Sequence, residues 1–438
     1  MNNEKIIISI VFLMMAFTPV FGQNLPDSKI FSNHLPPSPN AASINKFSES
    51  EVDLYTGKAN INIPIYNFKS GDITIPISLS YNTKGIKVSD EASWVGLGWS
   101  LNCGGVISRV INGKDDFHTR GYVLGDELPA TGNGMLLDYY LTYRFDNPDD
   151  ITKLELYHNG TDDAQPDDFY FSFLGFTGEL FFEKGSAKAC LVDQSSNLEF
   201  NYDFESNTWV VLDNSGWKYY FEKHEISRSL TQTSSIPPPS PSGTYSEEAI
   251  SAWYLTRITT PKGDHVTLEY KETGKYIQSV VDYAELTEYG PYTYTDFDLN
   301  DRKGLIISEL EVDSYTASIN EVNEVYLDKI SGNEGEIIFD TDERLDRKNT
   351  LYASEAQRLE NILIYKLNGE LFKKFQFNYS YFNLNYLSHN DKENYLRLKL
   401  ISLQEYGWNN NYFETISPYL FYYNSIELPA KNAFSIDL

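Results

Sequence analysis

Two acidic segments carry the side chains with the clearest capacity for chemistry. Each brings several oxygen ligands close together in sequence: Asp296, Asp298, Asn300 and Asp301 in the first, and Asp340, Asp342 and Asp346 in the second. Oxygen atoms are the ligands that Ca²⁺ prefers, but both segments lack the glycine and terminal glutamate of a helix–loop–helix calcium loop. Two interpretations of these residues therefore stay open: they form weak calcium sites, or they are charged side chains that face solvent.

The other residue types that commonly perform catalysis do not form a motif. The six histidines are scattered, with no pair at metal-binding spacing: His34, His118, His158, His224, His265 and His389. The chain has no Gly-x-Ser-x-Gly elbow and no Walker loop. We therefore expect no catalytic residues and no cofactor, while a hydrolase that uses two carboxylates brought together by the fold stays open as an alternative.

Two tyrosine-rich segments are candidates for stacking on sugars. They run from Tyr289 to Tyr294 and from Tyr419 to Tyr423. Aromatic residues in strands more often pack in the core or pair across strands, which would leave no ligand site here. If the rings are exposed instead, they predict a binding module for glycans or proteins.

A block rich in glycine and tryptophan lies between residues 94 and 105. Its members are Trp94, Gly96, Gly98, Trp99, Gly104 and Gly105. A phosphate-binding loop would need a third glycine where Leu101 stands, with a helix after it, and no helix signal follows. We interpret the block as a structural motif in which tight backbone packs beneath large rings.

Alternating apolar and polar residues predict strands before this block. The alternation covers residues 61–65 and 73–81. A period of two is typical of strands with one buried face, and the two runs predict a β-hairpin with its turn at Asn67–Gly71. Pro64 and Pro76 lack a backbone donor, which places these strands at a sheet edge or at bulges.

The same pattern continues along the chain as turns that contain glycine, each followed by an alternating apolar run. The turn glycines are Gly178, Gly216, Gly263, Gly335 and Gly369. Their spacing is too uneven for a propeller or a solenoid of fixed period. We therefore predict an all-β fold with few helices, in which serial antiparallel hairpins form extended, partly wound sheets.

Composition favours the same fold class and excludes some partners. The 438 residues include 33 Tyr, 26 Phe and 6 Trp but only 4 Met, which favours half-buried sheet surfaces over helical bundles. The formal net charge of −27 repels nucleic acid and anionic lipid headgroups. Two cysteines, Cys103 and Cys190, do not make a disulfide framework, and whether they pair stays open.

The first 22 residues have the layout of a secretory signal peptide. Lys5 precedes an apolar run from Ile6 to Phe17, and Gly22 supplies a small residue at the expected cleavage site. The run is too short to span a bilayer comfortably, and no later segment is a candidate membrane span. We expect a mature chain that is secreted or held at the cell surface.

A stretch rich in proline and serine divides the mature chain. Residues 236–244 cannot join the interior of a sheet and are predicted to be a linker or projecting loop. The predicted organisation is a signal peptide (1–22), an extended, loosely held Pro-bearing leader (23–46), an N-terminal β domain (47–235), this linker (236–244) and a second β-hairpin domain (245–438).

Several segments, taken together, resemble a known family. They are Ile77–Asn82, Gly85–Val88, Glu91–Trp99, Gly104–Ile107, Trp253–Asp264 and Leu428–Asn432. In this order they resemble the N-terminal segment of large bacterial Rhs/YD-repeat proteins, akin to the opening region of the Tc-toxin B components. The resemblance spans residues 45–438.

This resemblance implies a β-rich shell, wound from strand pairs, that encloses or carries a toxic or effector domain. The chain departs from the family pattern because it has no run of Tyr-Asp repeats, no self-cleaving core segment and no variable C-terminal effector. Cys103 also stands where a small residue such as Ala is usual. The expected function is a non-catalytic structural module, truncated before the repeats, with a downstream repeat shell or an effector polypeptide as its expected partner.

Overall fold

The computed structural model describes much of the chain after residue 33. The described residues are 34–35, 37–45, 52–53, 58–83, 85–124, 163, 165–184, 188–193, 196–234, 244–285, 314–349, 356–390, 392–409, 412–425 and 427–431. The predicted signal peptide, residues 236–243 of the predicted linker, the first acidic segment and the tyrosines from Tyr289 to Tyr294 lie outside them. Those interpretations stay predictions.

The N-terminal described residues contradict the prediction of an extended, loosely held leader. His34–Leu35 forms strand β1, and Pro39–Asn45 forms helix α1. The hydroxyl of Ser38 accepts a hydrogen bond from the backbone N–H of Ala41 at 3.2 Å and caps the helix, and Ala41 is fully buried. Pro39 stands at the first helical position, where a missing N–H is tolerated, so this proline starts a helix instead of keeping the segment extended.

A small antiparallel sheet ends with a strand that lies inside the glycine–tryptophan block. Its strands, paired in chain order, are β2 (Val52–Asp53), β3 (Lys58–Ser70), β4 (Ile73–Asn82) and β5 (Trp99–Asn102). Alternate residues of β4 are buried, as the period of two predicts. A register shift between Pro64 and Tyr66 agrees with the predicted irregularity at Pro64. The turn is only Gly71–Asp72, because the strand continues through residues for which the sequence predicts a bend.

The remaining strands are linked by a series of antiparallel pairings. They are β6 (Gly105–Asn112), β7 (Asp168–Phe173), β8 (Phe176–Glu183), β9 (Lys188–Leu191), β10 (Leu198–Asp203), β11 (Thr208–Asp213), β12 (Lys218–Ser234), β13 (Thr244–Tyr245), β14 (Ala249–Thr259), β15 (His265–Glu285), β16 (Ser314–Gly332), β17 (Gly335–Glu343), β18 (Lys348–Asn349), β19 (Gln357–Lys366), β20 (Leu371–Phe382), β21 (Arg397–Asn409), β22 (Tyr412–Thr415) and β23 (Tyr419–Leu420). Most neighbours are consecutive hairpins, such as β7–β8, β15–β16 and β19–β20. The prediction of an all-β fold built from serial antiparallel hairpins is confirmed.

A few pairings connect strands that are distant in sequence. Strand β14 pairs with both β12 and β6, and β12 also pairs with β16. Through these pairings, residues that precede the predicted linker at 236–244 hydrogen-bond directly to residues that follow it. The division into two domains at this linker stays a prediction. Strands on the two sides of the linker belong to one hydrogen-bonded sheet.

Four of the five predicted turn glycines lie in or beside connections between strands, and Gly178 does not. Gly178 lies inside β8, paired with Phe171, and the turn of that hairpin is Leu174–Gly175. A Cβ at Gly178 would lie 2.8 Å from the ring of Phe171. This glycine therefore makes room for an aromatic ring and does not bend the chain.

The buried faces of these strands share one large hydrophobic cluster that is rich in aromatic rings. The cluster includes residues from β3 through β21. At its centre Trp209 and Trp253 are fully buried and meet edge to face, with ring centroids 5.9 Å apart. Many of the aromatic residues of the sequence thus lie in this core.

Among the residues that the structure describes, helical structure is limited to short segments. Besides α1, the described residues contain helix α2 (Lys392–Tyr395) and a 3₁₀ turn (Leu384–Tyr386), both between β20 and β21. In the part of the chain that the structure describes, no helix combines the length and apolar character needed to cross a membrane.

Candidate functional site

The glycine–tryptophan block consists of tight bends on either side of β5. Three glycines have positive φ, at 114°, 77° and 76°: Gly96, Gly98 and Gly104. A Cβ on Gly98 would lie 2.7 Å from the ring of Tyr81. Gly105 begins β6 directly opposite Phe173. The block therefore needs glycine for two reasons: some of its positions have a positive φ, and a Cβ at some positions would collide with a neighbouring ring.

Both tryptophans of the block are buried against other rings. Trp94 packs against Tyr326 and Phe339, with ring centroids 5.8 and 6.3 Å away. The indole Nε1–H of Trp99 donates to the hydroxyl of Tyr423 at 2.7 Å, which satisfies this polar group inside the fold. The two rings thereby fasten the block to strands β16 and β17 and to the C-terminal residues.

Six buried charged side chains lie against the block, and we call them the ion-pair seam. All are at most 7% exposed: Glu91, Glu324, Arg344, Asp346, Arg347 and Lys431. The seam contains three cations and three carboxylates. Buried charges are costly unless they are paired with opposite charges, and each of these six lies in an ion pair.

The Arg344–Asp346 pair is a bidentate contact within the seam. Nε and Nη2 of Arg344 donate to the two carboxylate oxygens of Asp346 at 2.7 and 2.8 Å, and Nη1 donates to the carbonyl of Ser93 at 2.9 Å. Asp346 also accepts from the backbone N–H of Leu398 at 2.7 Å. Burial alone would raise the pKa of Asp346, but Arg344, together with Lys431 and Arg347, outweighs burial and holds that pKa well below its ordinary value.

Arg347 and Lys431 bring further segments to the same place. Arg347 donates to Glu324 and to the carbonyl of Ala92, both at 2.7 Å. Lys431 Nζ donates to the backbone carbonyl of Asp346 at 2.6 Å and lies 3.7 Å from Glu91. Burial lowers the pKa of Lys431, and the carboxylates of Glu91 and Asp346 offset only part of that shift. The seam therefore joins the block, the loop after β17 and the C-terminal residues.

The second acidic segment, a calcium candidate from sequence, is divided among different partners. Asp346 belongs to the seam, Asp342 pairs with Arg358 at 2.7 Å, and Asp340 lies on β17. Within the described ranges, no group of three or more His, Cys, Asp or Glu could hold a metal ion. The structure does not bring these three carboxylates together as a metal site, because arginines bind two of them.

A second group of charged residues, three of them buried, lies where β6 ends, and sequence reasoning missed it. Arg109 pairs with Asp115 and Asp167, and its guanidinium lies 4.5 Å from the ring centroid of Phe117. Asp116 and Asp167 are at most 3% exposed, and the backbone N–H of each donates to the carboxylate of the other at 3.0 and 3.2 Å. We call Arg109, Asp115, Asp116 and Asp167 the Asp116 cluster.

The electrostatics of the Asp116 cluster favour a bound proton. Burial raises the pKa of Asp116 to about 8, the charge of Asp167 adds to the rise, and Arg109 opposes it. Burial also raises the pKa of Asp167 to about 6, against Arg109 and several hydrogen bonds. This environment therefore favours the protonated form of Asp116 in the folded chain.

Replacing Asp116 with Asn should remove a pH-dependent loss of stability. An unperturbed Asp has a pKa of about 3.9. Between about pH 4 and 8 the folded chain thus binds more protons than the unfolded chain, and stability falls as pH rises. We expect the free energy of unfolding of Asp116→Asn to exceed that of the parent by more at pH 8 than at pH 5, with a difference that grows by up to about 1.4 kcal/mol per pH unit in urea denaturation. The same difference at both pH values would contradict this account.

Ser38 and Asn40 form hydrogen bonds to strand β12 and to the block. The backbone N–H of Ser38 donates to Glu225, and the backbone N–H of Trp94 donates to the side-chain carbonyl of Asn40, both at 2.8 Å. The second carboxylate oxygen of Glu225 accepts from the hydroxyl of Tyr254 at 2.9 Å. Burial raises the pKa of Glu225, which takes its hydrogen bonds from neutral donors.

A cavity of about 30 Å³ lies between α1 and the block. Its lining includes Asn40, Trp94, Cys103 and Tyr254. That volume is about the size of one water molecule, so it is too small for a cofactor or substrate. Cys103 and Cys190 are both free thiols, and burial raises the pKa of Cys103 to about 12.

Cys103 should resist alkylation in the folded protein. The thiolate is the reactive form, and a pKa of about 12 leaves very little thiolate at pH 8. We expect the folded Cys190→Ser variant, in which Cys103 is the remaining thiol, to react with iodoacetamide at least ~100-fold more slowly than the same chain in guanidinium chloride. Mass spectrometry of the alkylated chain gives both rates. Similar rates would show that Cys103 is open to solvent.

The segment from Tyr419 to Tyr423 divides between the core and the surface. Phe421 packs on Trp99 with ring centroids 4.6 Å apart, and Tyr423 bonds to the same indole. Tyr419 and Tyr422 are 50% and 88% exposed. Of the sequence-predicted stacking residues in this segment, these two have rings that can reach a ligand.

The ion-pair seam was also missed, although two of its members lie in segments that carry the family resemblance. Glu91 begins Glu91–Trp99, and Lys431 lies within Leu428–Asn432. Because both segments occur in one chain, the sequence could have suggested that Glu91 and Lys431 lie close together. Arg344 and Arg347 stand outside every motif, so no sequence signal indicated them.

Comparisons with known proteins give likenesses of low identity. No protein-family model and no curated protein matches the chain. The crystal structure of TcdB2-TccC3 is similar to it with a TM-score of 0.36 and 13% identity, over 88% of this chain and 16% of that chain. The N-terminal domain of effector protein SpvB from Salmonella typhimurium strain LT2 has a TM-score of 0.35 and 12% identity, over 80% of this chain and 99% of that chain. The chain spans about one sixth of the TcdB2-TccC3 chain, and likenesses at these TM-scores assign no function.

Proposed function

We propose that the chain is an exported, non-catalytic structural module of a surface or toxin-shell protein of the Rhs/YD-repeat kind. The ion-pair seam is the observation that carries the proposal. Its six charged side chains pair with one another and with backbone groups. These contacts hold the residues just before Trp94, the loop after β17 and Lys431 together. Buried charge in the seam thus has a structural use that requires no substrate.

The geometry of the seam also supports the family part of the proposal. Glu91–Trp99 and Leu428–Asn432, two of the segments that resemble Rhs/YD-repeat openings, meet there through Glu91 and Lys431. A shared structural contact gives a physical reason for both segments to occur in one chain. Hairpins that succeed one another in chain order suit a shell wound from strand pairs.

The first test is to read the DNA downstream of codon 438 in the source genome and to co-express its product with this chain. We expect a reading frame with Tyr-Asp repeats whose product co-purifies with the chain. An unrelated gene, or a repeat protein that does not associate, would overturn the shell part of the proposal. Export is tested separately by N-terminal sequencing of the secreted chain, which should begin at Gln23.

A binding module is the second candidate, and the exposure of Tyr419 and Tyr422 favours it. Exposed rings can stack on a glycan or pack on a protein surface. A glycan array probed with the mature chain and with Tyr422→Ala tests the glycan form. Binding that the variant loses would support it, and an array without hits would count against it.

A hydrolase that uses paired carboxylates is the third candidate. Asp116 and Asp167 are the closest match among the described residues, since both have a raised pKa. Their burial, at 1% and 3% exposure, leaves no open path for a substrate. A hydrolytic activity of the mature chain that Asp116→Asn abolishes, with the fold intact, would favour this candidate over the structural module.

A further inference from the structure

Three aromatic rings meet on one face of the sheet where β21 and β22 pair. Tyr406 and Trp408 are two residues apart on β21, so their side chains share a face, and Phe413 lies directly opposite Trp408 on β22. The ring of Phe413 meets the other two nearly edge to face, with centroids 5.8 Å from Tyr406 and 4.7 Å from Trp408. Phe413 is 43% exposed and the other two residues are half-buried, so ring surface stays within reach of a ligand.

Amide side chains continue the same face onto β20. Gln376 lies directly opposite Gln404 of β21, and Asn378 lies opposite Ser402. Phe377, between the two β20 amides, is 2% exposed and points into the core, so the amides lie on the outer face of the sheet. Three rings and three amides together form what we call the outer-face platform: Gln376, Asn378, Gln404, Tyr406, Trp408 and Phe413.

Each amide of the platform is held by one of its two ends. The hydroxyl of Tyr406 donates to Oε1 of Gln376 at 3.0 Å, which leaves the NH₂ group of Gln376 as a donor in the described part of the chain. Nδ2 of Asn378 donates to Oγ of Ser402 at 3.0 Å, and Nε2 of Gln404 donates to two backbone carbonyls at 2.8 and 2.6 Å. The oxygens of these two amides are left as acceptors. Groups fixed in this way lose little conformational freedom when they bind a ligand.

This combination of rings and fixed amides suits a neutral glycan. Sugar hydroxyls both donate and accept hydrogen bonds, and the C–H face of a sugar ring packs on an aromatic ring. No platform residue is charged, whereas 22% of the chain is charged and its net charge of −27 repels acidic sugars. A protein interface concentrates apolar side chains at its centre, but half of the platform residues are amides.

We propose that the outer-face platform binds a neutral polysaccharide that lies along β21. From Gln404 to Trp408 the strand advances about 14 Å, and three neighbouring strands are together about 10 Å wide, so an extended chain of sugar rings has room on the platform. The site is separate from the exposed rings of Tyr419 and Tyr422. The proposal also stands apart from the shell function, because it needs no downstream repeat protein.

Affinity electrophoresis of the full mature chain tests the site. Native gels each contain one polysaccharide: hydroxyethyl cellulose, laminarin, galactomannan or dextran as neutral probes, and polygalacturonate as an acidic probe. We expect at least one neutral polysaccharide to retard the chain, and polygalacturonate to leave its mobility unchanged.

Two variants separate the contribution of the rings from that of the amides. Trp408→Ala should weaken binding at least ~10-fold, because it removes the largest ring of the platform. Gln376→Glu should weaken it several-fold, since the carboxylate still accepts from Tyr406 but replaces the remaining donor with an acceptor. Circular dichroism confirms that each variant folds.

Phe181→Ala is the matched control. Phe181 is 41% exposed, close to the 43% of Phe413, but it lies on β8 outside the platform, so this variant should bind like the parent. A chain that no neutral polysaccharide retards overturns the proposal, as does binding that Trp408→Ala and Gln376→Glu leave unchanged. Retardation by polygalacturonate alone would assign the face to acidic glycans, with Lys374 beside Tyr406 as the cation, and would also overturn it. So would binding that is lost in Tyr422→Ala alone, which would move the site to the C-terminal tyrosines.

Discussion

Replacing Arg344 with Met is expected to lower the free energy of unfolding by about 3–5 kcal/mol. The variant leaves Asp346 buried, at 1% side-chain exposure, without its bidentate partner. An unpaired carboxylate inside the fold loses its hydration without a compensating charge, and this desolvation dominates the effect. Urea denaturation at neutral pH, followed by tryptophan fluorescence, measures the loss.

Arg358→Met is the matched control for this change. Arg358 pairs with Asp342 at the same distance of 2.7 Å, but Asp342 is 48% exposed. Exposed pairs contribute about 0–1 kcal/mol, so the control should change stability little. Adding Asp346→Leu to the Arg344 variant should recover part of the loss, because it removes the stranded charge. A loss no larger than that of the control would show that the seam does not stabilise the fold.

Replacing Gly98 with Ala is expected to destabilise the protein by about 2–4 kcal/mol. At a φ of 77° an alanine carries the strain of the left-handed region. Its Cβ would also lie 2.7 Å from the ring of Tyr81, and that ring packs on Trp99 with centroids 4.9 Å apart. Tyr81 cannot withdraw without disturbing Trp99, so strain and overpacking add. Thermal and urea unfolding of the variant report the effect.

Gly369 provides a control with the same backbone conformation. Its φ is also 77°, but a Cβ there would meet no atom within 4 Å. Gly369→Ala should therefore cost about 1–2 kcal/mol from strain alone. The difference between the two variants isolates the contact with Tyr81. Equal losses would mean that the ring moves aside and that glycine at position 98 serves conformation alone.

The strands could be predicted from sequence because burial in a sheet repeats every two residues. In β4, the isoleucines at 73, 75 and 77 are at most 1% exposed, as their alternation with polar neighbours indicates. This signal is local, so it survives without knowledge of the neighbouring strands. The same local signal cannot distinguish Gly178 in a strand from a glycine in a turn, because the reason for that glycine is the ring of Phe171 on the next strand.

Helix α1 could not be predicted in this way, since its sequence signals conflict. The prolines around Pro39 indicate an extended leader, whereas Ser38 before it is a good helix cap. The helix has only seven residues, too few to be stable by propensity alone. Its contacts with Glu225 and Trp94 hold it in place, and those partners are visible only in the folded chain.

The ion-pair seam and the Asp116 cluster lay beyond sequence reasoning for a related reason. Acidic residues are so numerous that composition singles out none of them, and pairing depends on distance in space. Arg344 donates to Ser93 across 251 positions of the chain. The oxygen atoms of Asp346 make it a calcium candidate in the sequence, but its partner in the fold is an arginine only two positions away.

The hydrogen bond between Trp99 and Tyr423 has a consequence for the time at which the protein can fold. The two residues are 324 positions apart, and a ribosome that adds 5–20 residues per second needs about 16–65 s to cover that distance. Throughout this interval the indole N–H of Trp99 lacks the hydroxyl with which it bonds in the folded chain. Contacts this distant in sequence also slow folding after release. The contact between Trp99 and Tyr423 therefore forms only after the C-terminal residues have emerged.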